Sequence, residues 1–221
     1  MFRKIFVLPL FAISILIADR SDASILILNI GGGEYSSSGA SAIATDAVVL
    51  TLNDSIVAGA VQMEVWFKGG TGVNPLAILN DLTMNLDPTK SITSFGWVSG
   101  VVVNTVGFSP NGYNNDGSHG YDIEFNYPPP TGAPRLTVNG KSTYNMFGSG
   151  LTVSSFLFTN QSGHGPFRAA VHINEVNVGK SGHYADSDFS FGGAVPEPTT
   201  FTVWFAICGL VALVGYRNKI A

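Results

Sequence analysis

The sequence predicts an all-β protein. The expected core is an antiparallel two-sheet β-sandwich, jelly-roll-like, with a signal helix before it and one transmembrane helix after it. Three observations lead there. Many short segments alternate apolar and polar residues with period two, which gives a strand one dry face and one wet one. Clusters of Gly, Asn, Asp and Pro separate these segments at the close spacing of a sandwich. Charged residues are sparse, at 12% of the chain, and no long charged helix is written into them.

Both ends are set apart from the fold. Arg3 and Lys4 precede an apolar run from Ile5 to Ala18, and residues 19 to 23 turn polar. Ser21 and Ala23 are the small residues a signal peptidase requires, which places cleavage between Ala23 and Ser24. An uncleaved anchor is the alternative, although the apolar run is short for a bilayer core of about 30 Å. Residues 1–23 are therefore read as a signal peptide, 24–194 as one exported domain and 195–221 as a tail.

Along the domain, an apolar strand is expected at Ile25 to Ile30, with Gly31-Gly32-Gly33 as a turn or flexible leader. Further strands are expected at Ala47 to Leu52, at Val61 to Val65 and over Leu82, Met84 and Leu86. More follow at Ile92 to Trp97, Gly100 to Val106, Tyr121 to Tyr127, Arg135 to Val138, Leu151 to Phe158 and Phe167 to Asn174. A helix is expected near Asn74 to Asp81, where Leu76, Ile78 and Leu79 are apolar. The turn signals are Lys68-Gly69-Gly70, Asp87-Pro88, Asn111-Gly112, Asp116-Gly117, Pro128 to Pro130, Asn139-Gly140 and Ser162-Gly163.

Charge and cysteine usage narrow the possible roles. The chain carries a formal net charge of −4, and the domain alone holds six basic and twelve acidic side chains. That balance leaves no electrostatic footprint for nucleic acid and no polybasic patch for anionic lipid. The single cysteine, Cys208, lies in the tail, so the domain has no disulfide and no cysteine nucleophile.

The tail is the most specific part of the sequence. Val195-Pro196-Glu197-Pro198 is a rigid, extended tetrapeptide that neither a helix nor a sheet can run through. An uncharged apolar stretch follows, giving a transmembrane helix at about 199–216 with Arg217 and Lys219 held at its cytoplasmic end. This order of motif, helix and basic end resembles the PEP-CTERM sorting signal. The resemblance implies recognition by an exosortase in the inner membrane, cleavage near the motif and transfer to the envelope. A permanent single-span anchor is the alternative. A GPI signal would end apolar, against Arg217 and Lys219.

The middle region is similar to a group of PEP-CTERM proteins with no assigned activity. It carries Asn85-Leu86-Asp87-Pro88, then Asp116-Gly117 ahead of Tyr121-Asp122-Ile123, then Leu151 to Phe158 and Pro166 to His172. Asn174-Glu175-Val176 stands where that group has a glycine-rich close.

Catalytic chemistry finds little support. His119, His164, His172 and His183 form no metal-ligand spacing, and each is read as solvated or loop-capping. No nucleophile elbow is present. Asp122 and Glu124 lie two apart on one strand; such a pair could serve a glycosidase or be simply a wet strand face. Asp116 and Asp122 are candidates for a calcium site outside the EF-hand pattern, the alternative being a plain turn. No other cofactor is expected. Trp66, Trp97 and Tyr113 are candidates for stacking on sugar.

The expectation is an exported cell-envelope or extracellular-matrix protein, structural or adhesive and not an enzyme. Its implied partners are signal peptidase, exosortase, the inner membrane and an exopolysaccharide. A carbohydrate-binding module is the second reading, and a carbohydrate-active enzyme stands behind both.

Overall fold

A computed structural model describes residues 24–35, 39–115, 118–128, 134–159, 162–163, 166–177 and 179–186. Residues 1–23, expected to be a signal peptide, and residues 195–221, expected to be a sorting tail, lie outside the described residues. So do Asp116, Gly117 and His164.

The domain is all-β and antiparallel. Its strands are β1 (Ile25–Gly32), β2 (Ile43–Asn53), β3 (Ala60–Phe67), β4 (Ile78–Met84), β5 (Ser94–Gly100), β6 (Thr105–Asn115), β7 (Ser118–Asn126), β8 (Leu136–Thr137), β9 (Gly140–Phe147), β10 (Ser162–Gly163), β11 (Ala169–Asn177) and β12 (Lys180–Asp186). Hydrogen bonds join them into one continuous path, β10-β7-β4-β11-β12-β1-β2-β3-β9-β5, with β6 alongside β7 and β8 alongside β4.

Period-two alternation explains which side faces in. On β3, Val61, Met63, Val65 and Phe67 are fully buried while Gln62, Glu64 and Trp66 face out. Register carries this dry row across neighbours: Leu52 pairs with Met63, and Met63 with Tyr144 on β9. On the far side Leu82 pairs with Val171 and with Phe125. A one-residue slip in any strand would turn its whole apolar set outward, so the buried face fixes the register.

The path curls until its ends meet. Phe125 of β7 packs edge-on against Phe95 of β5, with ring centroids 5.4 Å apart, and lies 5.2 Å from Tyr144 of β9. The sheet is therefore nearly closed around one core. The β5–β6 connection is fastened at that seam. Tyr144 Oη donates to the Val101 carbonyl at 2.5 Å, Ser142 Oγ accepts from Val101 N at 2.8 Å, and Asn104 N donates to the Asn126 carbonyl at 2.7 Å.

Several expectations are corrected. No helix forms at 74–81. Asn74 turns the chain, its Oδ1 accepting from Leu76 N at 3.0 Å, and β4 begins at Ile78. Ile78 and Leu79 are both buried, whereas Leu76 is largely exposed. Val153–Phe156 is a 3-10 turn where a strand was expected, because Ser155 Oγ accepts from Thr152 N at 3.2 Å and Asp54 takes Val153 N at 3.0 Å. Gly100 to Val106 divides into the end of β5, a link and the start of β6. Asn111-Gly112 is a bulge inside β6, with Asn111 at φ 52°, and not a turn between strands. Strands β9 and β12 carry many small and polar residues and were not expected; burial of Tyr144, Met146 and Tyr184 holds them in place.

The glycine run is also not a turn: β1 continues through Gly31 and Gly32, with a register shift against β2. A Cβ at Gly31 would stand 1.9 Å from the Ala44 carbonyl oxygen. Gly31→Ala is accordingly expected to lower the unfolding midpoint by the equivalent of about 2–3 kcal/mol. Gly33→Ala, whose Cβ would meet nothing within 4 Å, should leave the midpoint within about 0.5 kcal/mol. Urea melts of the two variants check this.

Candidate functional site

The polar face of the sheet carries one dense cluster. Asn126, Asp81, His172 and His183 pair in turn across β7, β4, β11 and β12. They form a row on the face opposite the core. The His172 and His183 rings stack in parallel, with centroids 4.2 Å apart and planes within 9°. His172 Nδ1 lies 3.3 Å from Asp81 Oδ2. Asn80 and Asn174 extend the cluster, Asn174 Nδ2 donating to Asn80 Oδ1 at 3.0 Å.

The hub is Asn115, at the end of β6 and 2% exposed. Its Nδ2 donates to Asp81 Oδ1 at 2.8 Å, which fixes the amide's orientation. Its Oδ1 lies 2.7 Å from His183 Nδ1, so that nitrogen must carry the hydrogen. The Tyr35 hydroxyl sits 2.8 Å from both the Asn115 carbonyl and its Oδ1, and donates to this pair of oxygens. A small second core covers the cluster: Tyr121, Ala170 and Ala185 are buried there, with Tyr35, Tyr113 and Phe167 packed against them.

The sequence brings Asn115 there by breaking the ladder. Register shifts between Phe108 and Tyr113, and again between Tyr113 and Asn114, bend the β6–β7 hairpin over the outer face. Asp122 locks the bend. Its Oδ1 accepts from Asn111 N and its Oδ2 from Leu86 N, both at 2.8 Å. Both carboxylate oxygens of this calcium candidate thus hold backbone amides. Its expected companion, Asp116, lies outside the described residues. Glu124 stands apart from this brace: its Oε2 accepts from Asn126 Nδ2 at 2.8 Å. Burial raises the Glu124 pKa, and the nearby Asp81 carboxylate adds to the rise. Among the described residues no group of three or more His, Cys, Asp or Glu side chains is placed to hold a metal ion.

The three aromatic candidates separate clearly. Trp66 faces out from β3, but the Lys141 and Lys68 ammonium groups stand 4.9 and 5.9 Å from its ring centroid. Those lysines also pair with Glu64 and Asp46 respectively. Tyr113 packs on the second core. Trp97, on β5, is 52% exposed. Of the signal-cleavage pair, Ser24 is described, and its backbone N donates to Asp54 Oδ1 at 2.9 Å. Ala23, Val195, Pro196, Glu197, Pro198, Arg217 and Lys219 lie outside the described residues.

Sequence reading missed the hub. Asn115 stands just before the Asp116-Gly117 turn signal and carries no expected role, and Asp81 closes the stretch where a helix is expected. His172, read as solvated or loop-capping, lies on the polar face of β11, stacked on His183 and beside Asp81. His183 does not behave as a solvated loop residue: it is 8% exposed in the middle of β12. Only the cross-strand register reveals that these four residues meet.

Elsewhere the surface offers a shallow hollow of about 510 Å³ lined by Pro75, Leu76, Ile78, Arg135, Thr137 and Glu175. Among the described residues no helix is long and apolar enough to cross a membrane.

Fold and cluster together define a class: an all-antiparallel β domain with a nearly closed sheet and a polar latch on its outer face. Comparison with protein-family models, with well-described proteins and with solved structures gives no match.

Two predictions follow from these contacts. Asn115→Ala leaves a carboxylate oxygen of Asp81 and the imidazole donor of His183 without the amide, while Tyr35 keeps the residue-115 carbonyl; it should cost about 2–3 kcal/mol, whereas Asn114→Ala at the exposed neighbour should be near neutral. Thermal melts of the pair distinguish them. The second concerns alkali. Burial raises the phenol pKa of Tyr127, Tyr144 and Tyr184, that of Tyr184 to about 12. In the unfolded chain these phenols ionise near 10. The native state therefore holds its protons more tightly, and the stability present below pH about 10 is lost as pH rises toward 12. Tyrosinate absorbance should appear in step with loss of the folded circular-dichroism signal across that window.

Proposed function

We propose that the chain is an exported bacterial cell-envelope or extracellular-matrix protein. It is carried out by its signal peptide, held by its carboxy-terminal helix and sorted by an exosortase. The observation that carries this reading is the ordered tail: Val195-Pro196-Glu197-Pro198, the apolar stretch and the basic end at Arg217 and Lys219, in a chain that also opens with a signal peptide. The domain between is read as a two-layer, jelly-roll-like sandwich acting in structure or adhesion. It is not an enzyme in this reading. Asp122, half of the one carboxylate pair considered for hydrolysis, is buried with each oxygen holding a backbone amide, which fits a structural brace. Association with exopolysaccharide fits the exposed, uncharged surroundings of Trp97. That observation also favours the second reading, a carbohydrate-binding module.

The test is the intact mass of the protein recovered from its own cells, fraction by fraction. A species beginning at Ser24 and ending between Val195 and Pro198, with or without an added group, is the expected result. A membrane species extending from Ser24 through Ala221 would replace sorting with a permanent anchor.

A further inference from the structure

We propose that the indole of Trp97 is the stacking platform of a binding site for uncharged polysaccharide, built on the free edge of β5. The inference rests on the exopolysaccharide association just proposed and names its site and ligand class.

Three observations carry it. The first is accessibility. Trp97 is 52% exposed and its ring makes no aromatic or cationic contact among the described residues. Trp66 by contrast is capped by Lys141 and Lys68, and Tyr113 is turned into the second core.

The second is the surroundings. β5 reads Ser-Phe-Gly-Trp-Val-Ser-Gly, with no charged residue and no proline. Its partners on β9 beside Trp97 are Tyr144, Asn145 and Thr143. Gly96 and Ser99 are small, and Tyr144, directly opposite on β9, is buried with its hydroxyl on the Val101 carbonyl, while Thr143 and Asn145 belong to the other face of β9. The ring is flat and apolar, as is the C–H face of a pyranose, and the exposed Ser99 two residues on offers a hydroxyl to the sugar's own.

The third is the edge itself. Among the described residues β5 pairs only with β9, so peptide N–H and C=O groups on its other side remain to bind hydroxyls. The same edge suits another strand poorly. The ladder shifts register between Trp97 and Ser99, which breaks it into two short runs, Ser94 to Trp97 and Ser99 to Gly100. A protein surface also fits poorly: the exposed apolar residues here are Trp97, Val98 and Val102, far short of the roughly 1,000 Å² a specific protein interface buries. The absence of charge on β5 selects a neutral glycan over a uronate-rich one.

Affinity electrophoresis of the detergent-solubilised full chain tests this, in native gels cast with mixed-linkage β-glucan, galactomannan or alginate. Retardation by a neutral glycan is expected, reduced at least tenfold by Trp97→Ala and retained in large part by Trp97→Phe and by Trp66→Ala. Trp97→Ala should lower the melting temperature modestly, since about half of the Trp97 side chain is buried, and Trp97→Phe less, with both variants folded at the gel temperature. Indifference to both neutral glycans, retardation by alginate alone, or retardation that survives Trp97→Ala would each overturn the site. So would a concentration-dependent dimer abolished by Trp97→Ala without any glycan binding, which would give the edge to a second copy of the chain. The site can fail this way while the intact masses still report sorting, so the two readings fall separately.

Discussion

Everything in this domain depends on Phe125 being able to touch Phe95 and Tyr144 at once. These three rings come from opposite ends of the hydrogen-bonded path, and their contacts of 5.4 and 5.2 Å bend an otherwise open sheet nearly into a ring. A flat sheet of this length would leave one apolar face in water. Curling it gives the inward residues of every long strand a single shared interior, and the register of each pairing follows from keeping that interior dry. The seam is left to side-chain contacts and to a fastened connection at Val101, not to a strand ladder.

The outer latch is a consequence of the same curvature. Bulges in β6 let the hairpin turn over the polar face, and the turned hairpin delivers Asn115 to Asp81 and His183. Asp122 is what makes the turn permanent, holding Asn111 on one side and Leu86 on the other. Three strands, β4, β6 and β12, and the β1–β2 connection are thus tied by one buried asparagine. A half-satisfied polar cluster here would be worse than an apolar one, so the completeness of its bonding matters more than any single contact.

How much of this was legible in the sequence varies with the range of the cause. The all-β class, the β3 alternation and the Tyr121 to Tyr127 strand were readable because period-two patterning is local. The apolar Ile78 and Leu79 misled toward a helix, since a buried strand and a short buried helix look alike in so few residues. Strands β9 and β12 were hidden because they face the core with Ser142, Tyr144, Gly182 and Tyr184 in place of a run of aliphatics. The latch was invisible for a different reason. Asn115, Asp81, His172 and His183 are separated by up to about a hundred residues and become neighbours only through register, which no local pattern records. Among the aromatic candidates, sequence could name Trp66 and Trp97 but not tell the capped ring from the open one.

Asp186 ends the described part of the chain, and the manner of its fastening bears on mechanical load. Its Oδ1 accepts from Arg168 N at 2.8 Å and from Ala169 N at 3.0 Å, with the Arg168 guanidinium 3.8 Å from its other oxygen. Any pull on the chain beyond it enters the domain at this clamp and then runs along β12. That strand lies between β11 and β1, in the middle of the path and not at its rim. Tension there strains ladders on both sides of β12 together instead of peeling one edge bond at a time. A domain pulled from its carboxy-terminal side is loaded through an interior strand of the sheet and not through an edge.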